Sequence, residues 1–303
     1  MEVFVPRYYK DFKCIAKDCA HSCCIGWQIE IDSKTQEKYA NLKGDYADAI
    51  RRSLTKKNPP HFKLVKGKRC PHLNNDGLCK IIIDYGEEYL CDICREHPRF
   101  YNRTARGLEV GLGISCPTAC KLVLTTDGYA DFVKTADVDY FEELPPYDCS
   151  NALDKIFKII GDRQTTLSDR IEEIERTFLV SPKEQTDERW KKIINSLEYL
   201  NEDHRALFLN YSNLSVCPKN LETFCERAFA YFAYRHLPTA QNPDEFRKTL
   251  GFCLFLLRLL ISSIINACVT DIDGTVSLAV TISEEIEYSL DNQEQILSAF
   301  TKL

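Results

Sequence analysis

Cysteine content and placement constrain this chain more than any other feature of its sequence. Fifteen of the 303 residues are Cys, and ten of them lie in the first 120 residues. These ten are Cys14, Cys19, Cys23, Cys24, Cys70, Cys79, Cys91, Cys94, Cys116 and Cys120. Because the total is odd, a closed set of disulfides would leave at least one thiol unpaired. Any fold of the first 120 residues must therefore accommodate a dense group of thiols.

The cellular compartment decides what such thiols can do. The first residues, MEVFVPRYYKDF, lack a continuous apolar segment behind a basic start, so they are not typical of a secretory signal. We expect a cytoplasmic protein, in which clustered Cys more often bind metal or perform redox chemistry than form disulfides. The apolar stretch from Gly251 to Val269 contains Arg258 and is marginal in length for a bilayer, which predicts a buried helix and no membrane association.

Composition and charge indicate a folded protein of two parts. The chain is 44% hydrophobic and has only 12 Gly and 12 Pro, which excludes disordered and collagen-like classes. Residues 1–120 carry a net charge of +5 and residues 121–303 a net charge of −11. The Pro-bearing stretch 142–148 predicts a boundary between a cysteine-rich domain, residues 1–145, and an α-helical domain, residues 146–303.

Apolar periodicity predicts short strands in the first domain. Alternating apolar residues at 27–31 and at 108–114 are typical of half-buried strands. Ser115 is a possible cap for a helix that begins at Pro117.

Helical periodicity dominates the second domain. A helix is predicted from Leu221 to Phe232, and another begins at Asn242-Pro243. A further helix is predicted from Thr281 or Ser283, with the stripe Ile286, Leu290, Leu297 and Phe300. The expected fold class is α+β and mainly helical, with a Cys-rich metal-binding N-terminal region followed by a helical domain.

Spacing divides the thiols into short-range groups suited to metal binding. Cys14-x4-Cys19-x3-Cys23-Cys24 is the densest group, and Cys91-x2-Cys94 is a second. Cys70 and Cys79 flank the turn signal at residues 74–77, and Cys116 precedes a helix whose positive end favours a thiolate. A subset of nine Cys is expected to bind metal: Cys14, Cys19, Cys23, Cys24, Cys70, Cys79, Cys91, Cys94 and Cys116. The alternative is that these Cys are small buried apolar residues.

The spacing leaves the identity of the metal open between two kinds of site. A four-Cys zinc site usually has two C-x2-C pairs, and only one is present. Iron–sulfur clusters accept irregular spacing and are commonly bound by four thiolates. We expect an iron–sulfur cluster, with zinc as the alternative.

A basic segment follows the first group of thiols. Residues 51–69 contain eight Lys or Arg and no acid. Such a segment is usually a solvated surface, but it can bind an anion such as a cofactor carboxylate or offset the charge of thiolates beside Cys70. We do not expect nucleic acid as a partner, because the chain is acidic overall and carries no recognition motif. His97 is the histidine that we place nearest to the chemistry, with an ordinary loop position as the alternative.

Several segments resemble the flagellin lysine-N-methylases. They include Phe12-Lys13-Cys14-Ile15-Ala16, Ser22-Cys23-Cys24-x-Gly26-Trp27, Cys70-Pro71-x-Leu73-Asn74, Leu90-Cys91-x-x-Cys94, Ser115-Cys116-Pro117, Tyr231-Phe232-x-x-Arg235-His236 and Glu285-Ile286-Glu287. That family belongs to a wider group described as zinc- or iron-chelating and named for a C-x2-C-x2-C-C pattern. The spacing before Cys23-Cys24 is wider here, so ligands cannot be transferred directly from that group.

The resemblance implies methyl transfer from S-adenosylmethionine to the ε-amino groups of surface lysines on flagellin, by an enzyme with a 4Fe-4S cluster. Displacement on a sulfonium needs an aligned, deprotonated amine and no radical. We therefore expect the cluster, with nearby Arg95 and Arg99, to bind or orient S-adenosylmethionine. A radical route is the competing mechanism.

Two further interpretations accompany this one. A zinc- or iron-binding protein-interaction module would show the same cysteines without methyl transfer, and the absence of a common S-adenosylmethionine loop keeps that alternative open. The acidic second half is expected either to attract a lysine-bearing substrate by long-range electrostatics or to be a solvated surface.

Overall fold

The computed structural model describes residues 1–19, 21–129, 131–137, 147–180, 186–213 and 216–300. Within these ranges the α-helices are α1 (Ser33–Asn41), α2 (Ala47–Ser53), α3 (Lys80–Tyr85), α4 (Asp92–Glu96), α5 (Pro117–Thr125), α6 (Ser150–Ile160), α7 (Leu167–Phe178), α8 (Asp187–Ser196), α9 (Glu202–Phe208), α10 (Glu222–His236), α11 (Pro243–Asn266), α12 (Ile272–Ile282) and α13 (Leu290–Ser298). The strands are β1 (Glu2–Pro6), β2 (Arg99–Thr104), β3 (Gly107–Leu112) and β4 (Phe132–Asp137). The chain is thus mainly helical with a small sheet, as predicted.

The chain divides into two compact units. The cysteine-rich unit is Lys13–Arg99, and the helical unit comprises Met1–Phe12 and Phe100–Leu303. The predicted boundary between residues 145 and 146 lies outside the described residues, whereas these units divide at 12/13 and 99/100. The cysteine-rich unit contains 16 Lys and Arg against 12 Asp and Glu, and the helical unit contains 23 against 33.

The sheet has the order β2-β3-β1-β4. Strand β1 pairs in parallel with β3 and antiparallel with β4. The predicted strand at 108–114 is β3, but both of its faces are buried, whereas the alternation predicted a half-buried strand. Glu109 can be buried because its Oε1 accepts hydrogen bonds from Thr104 and Arg106.

Helices α10 and α11 lie in the large core of the helical unit. Helix α11 begins where predicted, with the Asn242 side chain accepting hydrogen bonds from the backbone N–H groups of Asp244 and Glu245. It is the described helix that is long and apolar enough to cross a membrane by length and composition. Because 78% of that apolar segment is buried within the structure, the prediction of a buried core helix is confirmed.

One predicted helix start and one predicted cap are wrong, whereas α5 begins at Pro117 as predicted. Cys116, rather than Ser115, is the N-cap residue of α5. No helix opens at Thr281 or Ser283, because α12 continues there into a π-helical segment, Ser283–Glu287. The next helix, α13, starts after Ser289, whose hydroxyl accepts from the backbone N–H of Asn292. The polar and acidic residues at 281–285 resemble a cap in sequence, but tertiary packing buries Ser283 and Glu285 within a continuous helix.

The cysteine-rich unit is largely irregular around α1 to α4. The predicted strand at residues 27–31 is wrong: Ile29 and Ile31 are buried, but Glu30 forms only an isolated bridge to His61. The opposite segment contains Pro59 and Pro60, which have no N–H group to continue a ladder. Among the described residues of this unit the buried apolar core is small, with ten residues, and two of them are Cys70 and Cys91.

Candidate metal centre

Five thiols of the cysteine-rich unit belong to its small apolar core or pack against it, and we call them the thiol cluster: Cys24, Cys70, Cys79, Cys91 and Cys94. All five are buried or partly buried in the small core of the unit. Four separate stretches of chain contribute to the cluster. The structure therefore brings together thiols that lie as far as 70 residues apart, as Cys24 and Cys94 do.

Local backbone structure explains how each thiol reaches the cluster. The N–H of Cys70 donates to the carbonyl of Cys24 at 2.8 Å. The turn at Asn74–Gly77 reverses the chain as predicted, so that Leu73 forms a bridge with Cys79. Cys79 and Cys91 are the N-cap residues of α3 and α4, and Cys94 lies in the first turn of α4.

The thiols of the cluster differ in acidity. A hydrogen bond from Cys23 lowers the pKa of Cys24 to about 7, with burial opposing it and Ser22 and Arg69 assisting. Burial raises the pKa of Cys70 to about 12 and also raises the pKa of Cys79. A hydrogen bond between Cys94 and Cys91 lowers the pKa of Cys91 and raises that of Cys94. Ionising all of these thiols together requires a compensating positive charge, which a bound metal supplies.

Buried polar side chains border the thiol cluster, and the sequence did not single them out. His72 is 2% exposed, and its ring nitrogens lie 3.0 Å from Tyr46 Oη and 2.9 Å from Ser53 Oγ. Tyr39 donates from its hydroxyl to the carbonyl of Tyr89 at 2.9 Å. Because both nitrogens of His72 have side-chain partners, we assign it a structural role beside Cys70.

The donor set fits a thiolate-bound metal in its chemistry. Five soft sulfur donors in a small, partly buried core exceed the four that a zinc site or a 4Fe-4S cluster requires. Among the described residues, however, no group of three or more His, Cys, Asp or Glu side chains has the spacing of a formed metal site. In the described part of the chain, the five thiols therefore share one core without the spacing of a single metal site.

The remaining predicted thiol ligands lie outside the thiol cluster. Cys14 is exposed and accepts from the N–H of Ala16, and Cys19 donates to the carbonyl of His21 at 2.8 Å. Cys23 is exposed and contacts the cluster through Cys24. Cys116 belongs to the helical unit, at the start of α5.

The arginines predicted to bind a cofactor follow the last thiols of the cluster. Arg95 lies on α4 next to Cys94 and forms ion pairs with Asp92 and Glu96. Arg99 is the last residue of the cysteine-rich unit and the first of β2. His97 is the C-cap residue of α4 and donates its N–H to the carbonyl of Ile93.

The helical unit contains a separate buried polar cluster that joins two of its sequence motifs. Glu287, at the end of the π-helical segment, accepts from His236 Nε2 at 2.7 Å and lies 3.5 Å from Arg235 Nε. Arg235 also donates to Tyr231 Oη at 2.7 Å, and that hydroxyl accepts from the N–H of Ile114. Every polar group named here has a partner within the unit, which is typical of a structural network.

Known proteins that are similar in sequence to this chain include two whose names state an enzymatic activity. Two relatives named Lysine-N-methylase, from Salmonella choleraesuis and Salmonella typhimurium, are each 28% identical to the chain over 160 residues. This is 50% of the chain and 40% of each relative, so the match spans less than half of their length.

A third relative, named Flagellar biosynthetic protein FliU, from Salmonella muenchen, is 29% identical over 126 residues, which is 39% of the chain and 75% of that protein. No family model matches the chain, and no solved structure matches it. Over these 160 residues, half of its length, the chain is related to the lysine-N-methylases, which confirms that part of the resemblance. Membership of the wider zinc- or iron-chelating group stays a prediction.

Proposed function

We propose that this chain is a protein-lysine N-methyltransferase that uses S-adenosylmethionine, acts on flagellin in the cytoplasm and holds a 4Fe-4S cluster. The observation that carries the activity is the similarity to two proteins named Lysine-N-methylase. The relative named Flagellar biosynthetic protein FliU supports a flagellar substrate. The thiol cluster supports a metal centre, because it provides more than four sulfur donors in one small core.

Methyl transfer by direct displacement makes defined demands on the protein. The lysine nitrogen forms a bond to the methyl carbon, and the bond between that carbon and sulfur breaks. Its electron pair stays on sulfur, which leaves as the neutral thioether of S-adenosylhomocysteine. The amine must first lose a proton to water or a base, because its ordinary pKa is about 10.4. The competing radical route would release 5'-deoxyadenosine, so detection of that product distinguishes the two.

In this proposal three members of the thiol cluster bind a 4Fe-4S cluster, which would leave one iron without a thiolate. A cluster iron without a thiolate would offer a coordination position for the amino and carboxylate groups of S-adenosylmethionine. Arg95 and Arg99 would bind or orient the cofactor. Zinc is the alternative metal, since four thiolates suit a structural zinc site.

The first experiment measures iron, acid-labile sulfide and zinc in protein purified without oxygen. We expect about four iron and four sulfide per chain. The Cys91→Ser variant removes a buried member of the thiol cluster and should lower both contents. The Cys14→Ser variant removes an exposed thiol of the same unit outside the cluster and should leave them unchanged. Equal losses in both variants would contradict the ligand set.

The second experiment measures the activity. The protein is incubated with flagellin and methyl-labelled S-adenosylmethionine, and label in lysine is followed by mass spectrometry. We expect transfer by the wild-type chain and by Cys14→Ser, and loss of transfer in Cys91→Ser. Stoichiometric zinc without sulfide, together with no label in flagellin, would instead identify a metal-binding interaction module.

A further inference from the structure

The basic segment of the cysteine-rich unit folds into a ribbon. Residues 53–55 pair with residues 61–63, and Leu54 forms a bridge with Phe62. The N–H of Thr55 donates to the carbonyl of His61, and the N–H of Lys63 donates to the carbonyl of Ser53. A tight turn follows, in which the N–H of Val65 donates to the carbonyl of Arg69 at 2.8 Å. We call residues 52–69 the basic ribbon.

The basic ribbon is attached to the segment that carries the first cluster thiol. The N–H of Gly26 donates to the carbonyl of Lys68 at 2.9 Å, and Ile25 forms a bridge with Arg69. Cys70 follows directly and bonds to the carbonyl of Cys24. The positive charge of the ribbon is therefore presented at the edge of the thiol cluster.

Six cations of the basic ribbon have exposed side chains: Arg52, Lys56, Lys57, Lys63, Lys66 and Lys68. Lys63 Nζ donates to the carbonyl of Arg52, which leaves its charge uncompensated. In the described part of the chain, no carboxylate lies within ion-pair distance of Arg52, Lys56, Lys57, Lys63 or Lys66. Two acids border the ribbon: Asp48 pairs with Arg51, and Glu30 bridges to His61 through its backbone.

The placement of these cations favours an extended anionic partner over a small anion. A small-anion site gathers donors into a concave, partly buried position. Here the lysines extend from two turns, residues 56–60 and 65–69, and are exposed. Cations spread along a ribbon can instead act together only on a partner with several negative charges.

The burial of Phe62 favours an acidic polypeptide over a single-stranded nucleic acid. Single-stranded nucleic acid binding uses exposed aromatic side chains on which bases stack. Phe62 of the basic ribbon is only 2% exposed, so its ring is not available for stacking on a base.

We propose that the basic ribbon is a docking surface for an acidic segment of the protein substrate. The identification of the partner as the substrate rests on the proposed function. Binding at this surface would hold the substrate polypeptide at the edge of the thiol cluster through long-range attraction, which salt screens over about 10 Å at 0.1 M ionic strength.

The direct test measures binding of fluorescein-labelled poly-L-glutamate by fluorescence anisotropy at low salt. The ribbon variant carries Lys56→Gln, Lys57→Gln, Lys66→Gln and Lys68→Gln. The control variant carries Lys34→Gln, Lys158→Gln, Lys191→Gln and Lys192→Gln, four exposed lysines elsewhere in the chain. Both variants change the net charge equally. We expect binding to weaken about ten-fold in the ribbon variant and to remain unchanged in the control variant.

Each alternative outcome overturns the proposal. Equal affinities in the two variants would mean that poly-L-glutamate responds to net charge alone. Tighter ribbon-dependent binding of a single-stranded RNA or a duplex DNA of matched charge would identify a nucleic-acid surface. Circular dichroism spectra of both variants establish that the fold is retained.

A kinetic test separates this inference from the proposed function. With flagellin as substrate, the ribbon variant should raise KM about ten-fold and leave kcat unchanged, while the control variant changes neither. If the wild-type chain transfers no methyl group, the proposed function fails, and the anisotropy measurement still decides whether the ribbon binds acidic polypeptides. An unchanged KM in the ribbon variant would overturn the docking role while leaving the activity intact.

Discussion

Glu287 illustrates how much a single buried residue depends on its surroundings. Its side chain is 3% exposed, and burial alone would disfavour its charge. The charge of Arg235 and the hydrogen bond from His236 outweigh this burial and hold the pKa of Glu287 below its ordinary value. The carboxylate is therefore ionised and compensates the partly buried guanidinium of Arg235.

Replacing Glu287 should destabilise the helical unit. The Glu287→Gln variant keeps the size of the side chain but leaves Arg235, whose side chain is 13% exposed, without a compensating carboxylate. We expect the free energy of unfolding to fall by about 3 kcal/mol, measured by urea unfolding at pH 7. The control, Glu294→Gln on the exposed side of α13, should change it by less than about 0.5 kcal/mol. Equal effects in both variants would contradict the compensating role of Glu287.

Cys149, in the helical unit, provides a pH-dependent prediction. Burial raises the pKa of this thiol to about 11, with the charge of Asp148 adding to the effect. The unfolded chain therefore releases the proton at a lower pH than the folded chain. The thiol therefore stabilises the folded state fully only below about pH 8.5, its pKa in the unfolded chain. This contribution to the free energy of unfolding is lost as the pH rises towards 11.

The Cys149→Ala variant removes this contribution. Between pH 8 and pH 10, wild type should lose about 2 kcal/mol more stability than the variant, as measured by urea unfolding at each pH. Cys268→Ala removes an exposed thiol and should reproduce the wild-type pH profile. Parallel profiles for wild type and Cys149→Ala would show that Cys149 does not titrate in this range.

At the scale of elements, helix α11 shows how tertiary contact overrides helix propensity. Gly251 lies in the middle of this 24-residue helix, where Gly costs about 1 kcal/mol relative to Ala. A Cβ at this position would lie 2.5 Å from Phe300 Cδ1 and 2.6 Å from Phe300 Cε1. The ring of Phe300 therefore occupies the space that any larger residue would need.

The Gly251→Ala substitution should be unfavourable despite its gain in helix propensity. We expect the free energy of unfolding, measured in urea, to fall by about 1 kcal/mol. Overpacking a core typically destabilises a protein by more than the higher helix propensity of Ala stabilises it. In a Phe300→Leu background the same substitution should become neutral or stabilising. Stabilisation of the otherwise unchanged chain by Gly251→Ala would contradict the close approach.

At the scale of the whole molecule, the two units differ in what stabilises them. The helical unit has an extensive apolar core that includes most of α10 and α11. The cysteine-rich unit has ten buried apolar residues, and its helices are nine residues or shorter. So small a core rarely stabilises a unit of this size, and a bound metal contributes folding free energy directly.

Metal removal should therefore affect the two units differently. After treatment with an iron or zinc chelator, we expect backbone amides of residues 21–99 to lose hydrogen-exchange protection. Amides of α10 and α11 should keep theirs, as followed by mass spectrometry. The Cys91→Ser variant, purified with little metal, should resemble the chelated wild type. Unchanged protection in the cysteine-rich unit would show that its thiols do not hold a stabilising metal.

The sequence by itself determined the features that depend on short-range patterns. The start of α11 followed from Asn242-Pro243 and the acids after it, and the chain reversal between Cys70 and Cys79 followed from the turn at 74–77. Both were predictable because capping and turn formation involve neighbouring residues. The resemblance to the lysine-N-methylases likewise depended on local motifs.

Tertiary structure decided what depends on distant residues. Cys24, Cys70 and Cys91 meet in one cluster while Cys14 stays exposed, although spacing alone placed Cys14, Cys19, Cys23 and Cys24 in the same group. The polar segment at 281–285 became a buried continuation of α12, because Glu285 and Glu287 found hydrogen-bond partners on other helices. Spacing along the sequence shows which thiols could lie close together. Hydrogen bonds between backbone segments that are distant in sequence determine which of them do.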